Sequence, residues 1–490
     1  MNLLKKSALV FLAVLFTFML HGQVDTKAQL SRSFHESHET NKATSITHRR
    51  FKHAEIMRLM DRRKAPLSVR QIGSSVSGKP IKMVSYGNGK TSVLLWSQMH
   101  GNEPTATMAL MDIFNFFEAE GDGFDAIREI IQENLSVHFV PMLNPDGADK
   151  FVRRNDQGID INRDALRQQT PEGRALKQVR DSLEADWGFN LHDQGRTSYI
   201  IDKSATISVL APAYDFEKSV NEKRGDAMQL IALMEKALQE YIPDQVSQYS
   251  DDFEPRAFGD NIQKWGTRTI LIESGGLVND REKQEIRRLN YMAILMALHG
   301  IATNSYESFT TDDYFKIPRT NRGFRDVIIK NIQLPEAMGG YLTDIAYNFQ
   351  EVENESRDDY YLKPILSDVG DLSTSGAYKI YDVEGYTVKP GKTRSTTLSE
   401  LQRMKNSDLS ESIKSGFTDF IVSDELGVKD RNSMPVKFVR ESRKPSRLRT
   451  GGNPSLLFYK EGRLEYVLIN GYFFSTNQSW EEILAGMKRI

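Results

Sequence analysis

Five short blocks of this 490-residue chain hold side chains of the kinds that bind metals, move protons or grip anions. The first is Met99-His100-Gly101-Asn102-Glu103-Pro104, where an imidazole and a carboxylate three residues apart can turn toward one cation. Zinc suits such a pair, since it takes about four tetrahedral ligands, imidazole and carboxylate among them. The same residues also fit a plain helix start, with Glu103 favoured by the positive end of the helix dipole. The second, Asn144-Pro145-Asp146-Gly147, reads alone as an ordinary turn. The third runs Arg153-Arg154-Asn155-Asp156-Gln157-Gly158-Ile159-Asp160-Ile161-Asn162-Arg163. Two arginines and an amide in a glycine-containing loop could receive a carboxylate and a developing oxyanion, although a solvated loop explains any one of them. The fourth is His192, which closes the run Phe189-Asn190-Leu191 where either a metal ligand or a hydrogen-bonded strand-end histidine fits. The fifth is Glu273, at the end of Thr269-Ile270-Leu271-Ile272. A carboxylate is costly to bury there, and desolvation drives it toward the strength of a usable base.

Composition narrows the chemistry. The chain has no cysteine, which excludes disulfides, thiolate zinc sites, iron–sulfur clusters and a thiol nucleophile. Any metal must be held by carboxylates and by some of only nine histidines. Lys and Arg number 64 against 66 Asp and Glu, a net charge of −2, so no overall basic field exists to bind nucleic acid.

The elements that must position these blocks follow from the patterning. Apolar runs at Ser92–Trp96, Ser136–Pro141, Phe189–Leu191, Ile207–Leu210 and Thr269–Ile272 read as strands. Helical patterns at Pro104–Glu118, Gly173–Glu184, Ser219–Tyr241 and Glu282–Leu298 alternate with them. That alternation predicts an α/β domain with a mixed sheet over residues 65–305. The chemical blocks fall at strand ends, where sites collect in open α/β sheets. Residues 306–490 change character, with short strands at Asp326–Ile329, Tyr341–Ala346, Ala377–Tyr381, Leu456–Tyr459 and Glu465–Ile469, and a more helical patch from about 396 to 434. They are expected to form a β-rich, sandwich-like domain.

Upstream, Lys5 and Lys6 precede the apolar run Ser7–Leu20, which is too short for a membrane helix of about 20 residues and reads as a signal peptide over 1–24. The mature chain is then exported, periplasmic or secreted, with no stable membrane span after signal removal. Residues 25–64 form a polar arm in which His35, His38, His48 and His53 read as solvated. Gly89-Lys90-Thr91 lacks the first glycine of a phosphate loop, where Val84 stands. His138 and His299 read as structural, and the basic run Arg440–Arg449 as a solvated loop.

In their order and combination the five blocks resemble the zinc metallocarboxypeptidases, the family typified by pancreatic carboxypeptidase A. The resemblance covers about residues 65–300, and Ser77-Gly78-Lys79-Pro80-Ile81 is similar to the family's strand-entry segment. It implies one Zn²⁺ per chain, held by His100, Glu103 and His192, with one position left for water. It further implies that Glu273 is the general base, that Arg153 rather than Arg154 stabilises the oxyanion, and that Asn162 and Arg163 grip the substrate's terminal carboxylate. Asp160 matches the residue that holds a zinc-ligand imidazole, here His100. The family's mobile tyrosine has no clean counterpart; Tyr249 is nearest and stays unassigned.

The expected function is therefore an exported zinc carboxypeptidase acting on peptide or protein C-termini. The alternatives are a cell-wall amidase for γ-glutamyl-diaminopimelate bonds, an N-acyl amino acid deacylase, and a binding protein on a peptidase fold. A second, weaker resemblance links Asp326–Asn331, Thr343–Ala346, Tyr381–Gly391 and Gly452–Gly471 to the small β-sandwich of amidohydrolases. Where those enzymes carry a metal-binding His-x-His, this chain has Lys392-Thr393-Arg394. It implies a sandwich without that enzyme, serving support or the binding of an envelope or polymer partner.

Overall fold

A computed structural model describes residues 27–441 and 447–489, so the expected signal segment lies outside the described residues. Among the described residues, no helix is long and apolar enough to cross a membrane. Packing divides the chain into two units. The first runs to Gln194 and takes in Thr206–Ser274 and Gln284–Thr320; the second gathers Gly195–Ala205, Gly275–Lys283 and the chain from Asn321 onward.

In chain order the first unit contains α1 (27–41), α2 (His53–Met60), β1 (Ser68–Ser74), β2 (Pro80–Tyr86), β3 (Thr91–Ser97), α3 (Thr105–Glu118), α4 (Asp125–Asn134) and β4 (Leu135–Val140). It continues with α5 (Pro145–Lys150), α6 (Pro171–Leu183), β5 (Trp187–Asp193), β6 (Ile207–Leu210), α7 (Glu222–Leu238), β7 (Val246–Gln248), α8 (Phe258–Lys264), β8 (Arg268–Ser274) and α9 (Gln284–Ala302). The mixed α/β architecture expected from the sequence is observed. Eight strands form one sheet in the order β1-β2-β4-β3-β5-β8-β6-β7. The central strands β4, β3, β5 and β8 are mutually parallel, and β1 and β2 join antiparallel at one side.

Why these residues make a central sheet is visible in the burial. All of β3 after Thr91 is buried, as is β8 after Arg268. Strands covered on both faces carry continuous apolar runs rather than alternation. On one face α6 and α8 close a core of Leu94, Trp96, Met99, Leu143, Ile161, Leu176, Phe258 and Ile262. Elsewhere α9 packs against both α3 and α7. The α6 helix starts at Thr170, whose hydroxyl accepts from Gly173 N at 3.0 Å, with Pro171 at the first helical position.

The arm before residue 65 departs from expectation. His38 and His53, expected to be solvated, are 1% and 7% exposed. Helix α1 lies against the domain, with Phe34 packed on Phe116 and Phe124 and Ser37 bonded to Tyr291 Oη at 2.9 Å. A buried ion pair joins these parts. Asp112 on α3 meets Arg287 on α9 through two contacts, of 2.6 and 2.5 Å, and accepts from Ala43 N at 2.7 Å. His38 Nε2 lies 2.9 Å from the same carboxylate, and Arg287 also donates to the carbonyls of Ile46 and Ala43. The arm's polar residues thus supply partners for charges that the apolar core could not satisfy.

In the second unit, two four-stranded sheets share one core. The first pairs Tyr360–Gly370, Leu342–Glu353, Arg325–Gln333 and Ala377–Asp382, and the second Thr387–Pro390, Leu456–Lys460, Arg463–Ile469 and Tyr472–Ser475. Val327, Ile345, Tyr347 and Leu366 of the first meet Val388, Phe458, Leu468 and Phe474 of the second. The patch from 396 to 434 proves to be helices around a three-stranded parallel sheet of Lys392–Ser395, Phe417–Ile421 and Lys437–Val439.

Breaking the buried pair should unfold the first unit early, because it strands the Arg287 charge. Asp112→Asn is expected to lose about 3–5 kcal/mol of stability by denaturant unfolding. An unchanged midpoint would show that the Asp112–Arg287 pair adds nothing to the domain's stability.

Candidate active site

Three strand ends converge. The chain leaves β3 at Ser97 and turns through Gln98, a non-glycine residue at φ 50°. Such a conformation is strained and needs support. Gln98 is buried, donates to Gly101 O at 2.9 Å and accepts from Thr107 Oγ1 at 3.1 Å. This turn delivers His100 and Glu103. Parallel pairing of β5 with β8 puts His192 and Glu273 directly side by side. Residues paired in this way project to the same face of a sheet, a few ångströms apart.

The Asn-Pro-Asp-Gly block is the clamp for the His-Gly-Asn-Glu turn. A Cβ at Gly101 would lie 2.0 Å from Gly147 C and 2.3 Å from Ala148 N, so only glycine fits where the two loops cross. Asn144 accepts from Gly147 N at 2.9 Å, capping α5. Asp146, fully buried, accepts from Ser77 N at 3.0 Å and pairs with Lys79 at 3.3 Å, tying down the strand-entry segment before β2.

At the centre, Glu103 Oε1 lies 2.8 Å from His100 Nδ1, and its Oε2 lies 2.7 Å from His192 Nδ1. The two Nδ1 atoms are 3.1 Å apart. All three residues are buried, and their ligand atoms fall within 4.8 Å of one another. Ligands on a zinc tetrahedron sit roughly 3.3 Å apart at ordinary Zn–N lengths, so the set is slightly contracted but of the right chemistry and size. His100 Nε2 lies 3.0 Å from Asp160 Oδ1, which places a proton there and turns the Nδ1 lone pair inward. His192 Nε2 is buried with no hydrogen-bond partner among the described residues, so packing holds that edge of the ring while Glu103 engages Nδ1. Glu103 also accepts from Asp193 N at 3.2 Å, and Asp193 takes the Thr105 hydroxyl at 2.6 Å.

Electrostatics follow from this crowding. Burial would raise the Glu103 carboxyl, yet His100 and His192 together hold it far below its ordinary range. Burial opposes charge on His100, but Glu103 and Asp160 outweigh it and its pKa rises; at His192 burial prevails and lowers it. Asp160 is likewise held low, against burial, by His100 and Arg153.

Arg153 reaches this cluster and Arg154 does not. Arg153 Nε lies 3.0 Å from Asp160 and its Nη1 3.2 Å from Glu103, whereas Arg154 donates to Gly158 O at 2.9 Å. Asn162 Oδ1 accepts from Phe258 N at 2.9 Å, which leaves its amide as a donor. Arg163 donates to Asn162 O at 2.7 Å and pairs with Glu254 at 3.2 Å. Tyr249 gives its backbone N–H to Val209 O at 2.9 Å. The supports at Gln98 and Thr105 were not signalled by residue type, since glutamine and threonine occur everywhere.

The family model for zinc carboxypeptidase matches residues 53–209. Carboxypeptidase SOL1 of Arabidopsis thaliana is 29% identical over 99 residues, covering 19% of this chain and 20% of its own. Carboxypeptidase E of Caenorhabditis elegans is 31% identical over 116 residues, covering 19% of this chain and 24% of its own. The chain thus spans about a fifth to a quarter of these curated relatives. Among solved structures, a metallo-carboxypeptidase from Burkholderia cenocepacia aligns at 19% identity with a TM-score of 0.42, covering 52% of this chain and 69% of its own.

One carboxyl near this site titrates out of its usual place. Asp260 in α8 accepts from Glu254 N at 3.1 Å, and burial pushes it up from 3.8 to about 7, against the lowering effect of that bond and of Arg163. A carboxyl raised in the fold stabilises the native state while protonated. That contribution is complete below about pH 4 and is lost as pH rises through about 7. Asp260→Asn removes the titration, so its Tm relative to the parent should climb between pH 5 and pH 8; parallel curves would refute the shift.

Proposed function

We propose that this zinc carboxypeptidase-like domain is an exported, zinc-dependent carboxypeptidase that removes residues from peptide C-termini. The observation that carries the reading is the buried convergence of His100, Glu103 and His192, backed by Asp160 on the far nitrogen of His100. Two imidazole nitrogens and a carboxylate turned on one point suit a cation, and the absence of cysteine leaves this as the ligand chemistry available. Zinc held there supplies Lewis acidity, polarising a carbonyl and easing deprotonation of water.

The chain's own groups do the rest. Asn162 and Arg163 receive the substrate's terminal carboxylate, an anion suited to an amide N–H and a guanidinium. That grip sets the scissile bond one residue in from the end. Glu273, beside His192 in the sheet, takes the proton of the attacking water and returns it to the leaving nitrogen. Arg153 is anchored through Nε and Nη1, which leaves Nη2 without a protein partner among the described residues to meet the developing oxyanion. Asp160 keeps both Arg153 and His100 in place.

Glu273→Gln should lower kcat/KM on a mixed peptide pool by about 10²–10⁴ while elemental analysis still finds one zinc per chain; wild-type turnover would sink the mechanism. Zinc without trimming, but with release from wall muropeptides or N-acyl amino acids, would move the reaction to the amidase or deacylase class. No zinc and no turnover would leave a binding protein. Asp160→Asn should weaken zinc about 10–100-fold in a competitive chelator titration. Unchanged affinity would remove Asp160 from the metal's support.

A further inference from the structure

Two loops of the first unit, 153–163 and 254–258, surround a cleft of about 390 Å³ lined by Arg154, Gly158, Ile159, Asp160, Arg163 and Arg256. Asp160 also backs His100, so the cleft borders the candidate metal centre. The loops are built to hold their arginines. Asn155 folds the first by accepting from Gln157 N and Ile159 N, at 3.1 and 3.0 Å, and by donating to the buried Glu172. The second is laced to it by Ala165 N to Arg256 O at 3.2 Å and Phe258 N to Asn162 Oδ1 at 2.9 Å.

Charge in the cleft is not balanced by the protein. Glu254 serves Arg163 at 3.2 Å and Arg256 at 3.0 and 3.1 Å. Asp160 is engaged by Arg153 and His100. No carboxylate pairs with Arg154 among the described residues; it donates to a backbone carbonyl. Arg153 is already matched by Asp160 and Glu103. The three guanidinium groups lining the cleft, Arg154, Arg163 and Arg256, share Glu254 as their one ion-pair partner among the described residues, a surplus of two positive charges. A peptide's terminal carboxylate answers one of them.

We propose that the second is answered by the same residue of the substrate: the cleft takes an acidic C-terminal residue, glutamate or aspartate. This rests on the carboxypeptidase reading. The α-carboxylate lies with Asn162 and Arg163, and the side-chain carboxylate with Arg154 and Arg256. A space of a few hundred Å³ admits one residue. Guanidinium groups favour a second carboxylate over a neutral amide of equal shape, and a C-terminal lysine adds a like charge to the surplus. Arg154 and Arg256 are exposed, so replacing them leaves the core intact.

The test separates binding from turnover. Zinc-loaded full-length protein is titrated calorimetrically with N-acetyl-glutamate and with N-acetyl-glutamine, which differ in charge but hardly in shape. Glutamate is expected to bind about tenfold tighter or better, a preference that weakens with salt. The Arg154→Gln/Arg256→Gln double variant should bring the two ligands to near parity. Equal affinities in the parent, or a preference untouched by the double variant, would overturn the assignment. Peptides ending in Glu, Gln, Phe or Lys are then offered for trimming. Trimming without a Glu preference also overturns the acidic cleft but keeps the carboxypeptidase. A binding preference with no trimming keeps the cleft and overturns the enzyme.

Discussion

Glu103 is 8% exposed, and its two oxygens lie 2.8 and 2.7 Å from imidazole nitrogens on residues separated by 92 positions in the chain. Carboxylate and ring lone pairs do not gather in this way unless a scaffold compels them, because each resists leaving water. Much of the first unit serves that compulsion. Parallel strands bring His192 and Glu273 into register. The strained turn at Gln98 aims His100 and Glu103, and the crossing of Gly101 over Gly147 fixes that turn's height. Loosening any of these would let the acceptors separate and find water instead.

The same logic reaches outward. Asp160 couples the imidazole of His100 to the guanidinium of Arg153, so the orientation of one candidate ligand and the position of one guanidinium beside it depend on a single carboxylate. Asn162 is tied to Phe258, and Arg163 to Glu254, so the groups proposed to meet the substrate are braced by a loop nearly a hundred residues away in sequence. Binding groups braced in this manner need little reorganisation when a ligand arrives.

The parts legible in the sequence were those with a local signature. Strands such as Thr91–Ser97 and helices such as Thr105–Glu118 carry unbroken apolar runs or helical periodicity, and their observed bounds depart from expectation by one or two residues. His100, Glu103 and His192 could be picked out because imidazole and carboxylate fall at expected strand ends in the order of the family's blocks, and the fold brings them together. Asn144-Pro145-Asp146-Gly147 looked like a turn because its work is done across the chain, against Gly101, Ser77 and Lys79. His38 and His53 misled for a similar reason. A polar segment looks solvated until a buried partner is known, and Asp112 and Arg287 lie 74 and 249 positions from His38. Strand Tyr360–Gly370 escaped notice because its charged and aromatic residues break both apolar continuity and clean alternation.

The second unit cannot be treated as a detachable tail. Its segments Gly195–Ala205 and Gly275–Lys283 begin three residues after His192 and two after Glu273, at the ends of β5 and β8. Inside that unit they are held firmly. Arg196 pairs with Asp326 at 3.3 Å, and its carbonyl accepts from Tyr378 Oη at 2.8 Å. Arg281, 5% exposed, has Asp326 and Glu351 within 3.8 Å. A Cβ at Gly276 would fall 2.1 Å from Tyr378 Oη, so the hydroxyl occupies the space of a side chain. Removing the chain beyond residue 320 would therefore strip a buried arginine of its carboxylates and release the two segments that prolong the strands bearing His192 and Glu273. Burying a charge without its partner costs several kcal/mol, and here that cost would fall on segments continuous with the candidate ligand and base. The segments that leave β5 and β8 are thus ordered by contacts made inside the second unit.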